Sequence, residues 1–78
     1  MTRIEQLIAD FLEARGEYEY SQYQYDVNTG EEKEQWDQEV EYYRHQMMNI
    51  AELIIDEDPS PEEEEKDPIL YDILTFNF

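Results

Sequence analysis

Ile4, Leu7, Phe11, Ala14, Tyr18, Ser21 and Tyr25 follow one another at steps of three and four residues. That spacing returns to the same side of an α-helix at every turn, so one face of a long helix accounts for the whole stretch. Ile8 and Leu12 widen the stripe. Thr2 is placed to cap the helix, with Glu5 completing a capping box. The spacing therefore predicts a helix over residues 3–25. Gly16 lies inside it, either as a C-cap or as an interior glycine costing about 1 kcal/mol relative to alanine. A competing pattern runs through the same residues. Tyr18 and Tyr20 alternate with Glu17 and Glu19, and Tyr23, Tyr25 and Val27 alternate with Gln24 and Asp26. Tyrosine favours strands, and a bulge near Ser21 would reconcile the change of parity.

Residues 26–30, Asp-Val-Asn-Thr-Gly, read as a turn. Thr29, with Glu32 three residues later, is placed to cap a second helix over residues 31–55, and Asn28 is an alternative cap. Trp36, Val40, Tyr43, Met47, Ile50 and Ile54 are spaced 4-3-4-3-4 along it. About 25 residues make a rod of roughly 37 Å, long enough to lie antiparallel beside the first. An acidic, proline-containing linker follows over 56–67, in which Ser60, Pro61 and Glu63 suggest a short capped turn. Asp67-Pro68 opens a short helix over 68–75, with Ile69, Leu70, Ile73 and Leu74 on one side. The expected fold is all-α: one small domain over residues 1–78, a long antiparallel helical hairpin closed by a short C-terminal helix. The alternative is an α+β fold, with a small sheet formed by residues 17–27 and 69–77.

A chain of 78 residues supports one modest core, worth roughly 3–5 kcal/mol of net stability. It carries 22 Asp and Glu against five Lys and Arg, a formal charge of −17. Self-repulsion of that size opposes folding, so the charge points to function. It disfavours direct contact with nucleic acid and with anionic membranes, both of which need cations. No apolar run is long enough to span a bilayer, and the first residues do not resemble a signal peptide. The chain has no cysteine, which fits a cytoplasmic location.

Acids at helical spacing form rows with rungs about 5–6 Å apart, comparable with the phosphate spacing along a DNA strand. A rigid acidic ridge of this kind matches the basic groove of a DNA-binding protein. The candidate partner-binding residues are Glu13, Glu17, Glu19, Tyr20, Tyr23, Asp26, Glu31, Glu34, Asp37, Glu41, Glu62, Glu63, Glu64 and Glu65. Tyr20 and Tyr23 are included because aromatic rings among carboxylates suit an arginine-lined groove. In size, charge, absence of cysteine and aromatic-rich acidic segments, the chain resembles the small DNA-mimic inhibitors of phages and mobile elements, the anti-restriction and anti-CRISPR proteins. Members of that class differ in fold, so the likeness carries no architecture. It implies a basic DNA- or RNA-binding target, such as a restriction enzyme, a Cas effector, a nuclease or a repressor. A small structural or adaptor protein binding a basic non-DNA surface is the alternative, and a solubility or halophilic adaptation is a third reading.

Residues 44–51 contain no acid. Met47, Met48 and Ala51 there form a possible homodimer face, or else belong to the hairpin's own core. The chain is thus expected to be a monomer or a homodimer. One histidine and no cysteine argue against a zinc site. The acidic run lacks the ligand spacing of a calcium loop. No nucleophile–base arrangement or phosphate loop stands out, so neither cofactor nor metal is expected, and no enzymatic activity.

Overall fold

The two apolar stripes become the facing sides of two antiparallel helices. The computed structural model describes residues 2–77. Four helices follow one another: α1 (Arg3–Val27), α2 (Gly30–Asp56), α3 (Pro61–Lys66) and α4 (Pro68–Leu74). The fold is an all-α hairpin, an elongated body of 47 × 20 × 16 Å. Among the described residues no strand forms, so the alternative sheet from 17–27 and 69–77 is set aside. Tyr18 and Tyr25 of the alternating segment lie half-buried on the side of α1 that turns toward α2, as the helical stripe requires.

Local chemistry shifts several boundaries. Thr2 caps α1 as expected, its Oγ1 accepting from the Glu5 amide at 3.1 Å. α1 runs two residues past 25, because Asn28 closes it: the Asn28 amide side chain donates to the Gln24 carbonyl at 2.7 Å, and its backbone N–H to the same oxygen at 3.0 Å. The turn therefore shrinks from 26–30 to Asn28 and Thr29. Thr29 occupies the N-cap position of α2, but its side chain makes no capping hydrogen bond. The chain instead enters α2 through Gly30, whose φ of 65° is open to glycine at little cost. At its other end α2 stops at Glu57, and Asp58 takes a left-handed φ of 51° ahead of Pro59.

The linker at 56–67 is not irregular throughout. Ser60 accepts from the Glu63 amide at 3.3 Å, Pro61 takes the first helical position, and the acidic run that follows is the helix α3. Acids in its first turn and Lys66 in its last suit the helix dipole. Asp67 then caps α4 through the Ile69 amide at 3.0 Å. Thr75 is the C-cap of α4 rather than its last residue, and its hydroxyl donates to the Tyr71 carbonyl at 2.9 Å.

The core sits toward the open end of the hairpin. Leu7, Ile8, Phe11 and Ala14 of α1 pack with Met47, Ala51 and Ile54 of α2, and α4 closes the cluster with Leu70 and Ile73. Two of the three residues expected at a possible dimer face are accordingly spent on the fold: Met47 and Ala51 are buried here, and only Met48 is exposed. Toward the turn the aliphatic cluster gives way to Ser21, Val40 and aromatic contacts.

Candidate partner-binding surface

At about 100° per residue, each long helix has a flank on either side of its core stripe. Asp10, Glu13, Glu17 and Tyr20 follow one flank of α1. Gln35, Glu39, Tyr42 and Gln46 follow the flank of α2 that meets it. Between them runs a shallow furrow, lined toward the turn by Glu17, Tyr20, Ser21, Gln35, Trp36, Glu39 and Tyr43. Toward the open end it continues past Asp10, Glu13, Ala14, Tyr42, Gln46 and Ile50, with Glu17 and Tyr43 common to both stretches.

The furrow's aromatic residues form two edge-to-face pairs. The Tyr20 and Trp36 rings join α1 to α2 with centroids 5.7 Å apart and planes at 80°. The Tyr42 and Tyr43 rings lie 5.0 Å apart at 82°. Ser21 is buried and its short side chain fills little space, so Trp36 and Tyr43 remain half-exposed on what is otherwise the core stripe. Partial burial raises the Tyr43 phenol above its ordinary pKa, and the Glu17 and Glu39 carboxylates and Tyr42 raise it further. Those carboxylates thus act from both walls on the ring between them.

No lysine or arginine lines either stretch of the furrow. The cations are used elsewhere. Arg3 meets Glu57 at 3.4 Å, and Arg44 meets Glu41 at 2.6 Å, a contact that raises the guanidinium pKa. Lys33 stands 4.4 Å from the Tyr25 ring centroid and Arg15 6.0 Å from that of Phe11. Lys66 and Arg3 line a cleft between the start of α1 and α3, where Glu5, Glu57, Glu63 and Asp67 are mixed with them. Both stretches of the furrow bring aromatic rings and carboxylates together without a cation, as does a separate cleft lined by Pro61, Glu64, Glu65, Pro68 and Tyr71.

The expected site residues divide into separate groups. Glu13, Glu17 and Tyr20 come together in the furrow. Glu19 and Asp26 lie on the other flank of α1, and Asp26 accepts from Gln22 at 3.3 Å. Tyr23 is exposed and outside the furrow. Glu31, Glu34 and Asp37 are exposed along α2, and Glu41 is tied to Arg44. Glu62, Glu63, Glu64 and Glu65 form α3, apart from the others. Trp36, Glu39, Tyr42 and Tyr43 were not among the candidates. Trp36 and Tyr43 read as core from their spacing, and nothing in the spacing singles out Glu39. The two-residue turn could have found them, because it sets residues equally far from Asn28–Thr29 opposite one another. Tyr20 then faces Trp36, and Glu17 comes near Glu39 and Tyr43.

No Asp or Glu side chain is buried: Asp10, Glu64, Asp67 and Asp72 are intermediate and the others exposed. Among the described residues no group of three or more His, Asp or Glu is placed to hold a metal ion, and no helix is long and apolar enough to cross a membrane. No protein family matches the sequence, and no curated protein or solved structure is significantly similar to it.

Proposed function

We propose that the chain is an acidic mimic of nucleic acid, which binds the DNA- or RNA-binding site of a basic protein and blocks it. The supporting observation is a row of carboxylates outside any ion pair along a two-helix rod. Asp10, Glu13 and Glu17 rise along α1 at intervals of about 4.5 and 6 Å, given 1.5 Å per residue, and Glu39 stands across the furrow. Two ion pairs form among the described residues, and both lie outside this row. A charge of −17 carried on such a rod gives a long-range field that steers a basic surface toward it. The target is a nuclease, a restriction or Cas-type effector, or a repressor, met in the cytoplasm.

The test is capture of partners from host lysate at low salt, followed by elution with duplex DNA. A mimic releases its partner to DNA, because both occupy one site, and the complex weakens steeply as salt rises. An adaptor on a basic non-DNA surface leaves the partner's DNA site free, and DNA does not elute it.

A further inference from the structure

The furrow between α1 and α2 is an aromatic surface that neither α3 nor α4 covers. α3 and α4 pack at the open end, against the start of α1 and against α2. Two of the cations reach other rings: Lys33 stands over Tyr25 and Arg15 over Phe11. Tyr20, Trp36 and Tyr43 present rings of the same kind to solvent, between the carboxylates of Glu17 and Glu39, with no cation beside them. A ring face attracts a cation, and a carboxylate beside it accepts that cation's N–H groups. Arginine suits this combination better than lysine. Its guanidinium is planar, stacks on aromatic faces, and presents paired donors to a carboxylate, whereas an ammonium is a compact, strongly hydrated charge.

We propose that this furrow is the docking seat for an arginine-bearing segment of a basic protein, with guanidinium groups stacked on Tyr20, Trp36 and Tyr43 and hydrogen-bonded to Glu17 and Glu39. The inference deepens the mimic reading and rests on it for the identity of the partner. It assigns the contact to one flank of the rod instead of to its whole acidic surface. The opposite flank carries Asp37 and Glu41 but also Arg44, which is already paired with Glu41. The run on α3 sets Glu64 and Glu65 beside the single ring of Tyr71, but no residue of α3 is buried to anchor them.

Trp36 is the chain's single tryptophan and lies in the seat, so its fluorescence reports occupancy. The probes are a glycine–arginine repeat hexapeptide and its lysine counterpart, titrated into the full chain at physiological salt. The arginine peptide is expected to change Trp36 emission saturably and to bind more tightly than the lysine peptide. Glu17→Gln with Glu39→Gln is expected to weaken it at least about fivefold. Glu52→Gln with Asp56→Asn removes the same charge from exposed positions of α2 outside the furrow and is expected to change it less than about twofold. Both double variants relieve repulsion, and circular dichroism checks that each remains helical. Equal weakening by the two pairs, or equal binding of the two peptides, overturns the seat. The same variants separate this inference from the mimic reading. A captured partner that DNA displaces but that ignores Glu17→Gln with Glu39→Gln overturns the seat and leaves mimicry standing. A partner that needs Glu17 and Glu39 yet keeps its DNA overturns mimicry and leaves the seat.

Discussion

Gly30 and Gly16 answer to different constraints. Gly30 enters α2 with φ of 65°, and an added Cβ there meets no atom within 4 Å. The cost of a side chain is therefore purely backbone strain, and Gly30→Ala is expected to destabilise by about 1–2 kcal/mol. Gly16 sits inside α1, also with open space around an added Cβ. Gly16→Ala is expected to stabilise by roughly 0.5–1 kcal/mol, since alanine loses less backbone freedom in a helix. Thermal melts of the two variants should move in opposite directions. Tyr43 adds a pH dependence. Its folded pKa is raised, by partial burial first and by Glu17 and Glu39 next. The folded state then holds the phenolic proton more tightly than the unfolded state does. The stabilisation is fully present below about pH 10, the ordinary tyrosine value, and is lost as pH rises through the folded pKa. In an alkaline titration followed by ultraviolet absorbance, Tyr43→Phe is expected to remove a late-ionising component. An unchanged titration curve contradicts the assignment.

At the scale of elements, the long helices and α4 share one core while α3 has no part in it. Ile73 and Leu70 are almost fully buried, so Ile73→Ala is expected to cost about 2–4 kcal/mol, a large fraction of what a chain of this size holds. No residue of α3 is buried. Its amides at 62–66 should exchange with solvent much faster than those of 8–14 and 47–54, with Ser60→Ala accelerating them further by loss of the cap. Protection of α3 equal to that of the core would contradict this. The hairpin was legible in the sequence because the 3-4 steps through Ile4, Phe11 and Tyr18 repeat the period of the helix itself. The helix ends were less so: Asn28, read as an alternative cap for the start of the second helix, instead closes the first by reaching back to Gln24, which spacing does not reveal. α3 was visible only as a short capped turn at Ser60, Pro61 and Glu63, since its run of like charges argues against a helix until the capping bonds are counted. The furrow was the least legible part. Glu13, Glu17 and Tyr20 could be singled out by type, but Trp36 and Tyr43 sit on the core stripe. What leaves them half-open is the small neighbour Ser21 and the register imposed by the turn, both properties of the pair of helices.

The whole molecule is a rod whose net charge resists its own folding. Added salt screens that repulsion, so the melting temperature is expected to rise with salt in the isolated chain, while any complex with a basic partner weakens. These opposite trends separate stabilisation of the fold from stabilisation of the complex. The most direct measurement is whether the chain, its captured partner and duplex DNA form a ternary complex, followed by size-exclusion chromatography across a salt series. A mimic gives two exclusive binary complexes, with the chain and DNA trading places on the partner as their concentrations change. A stable assembly containing all three contradicts mimicry.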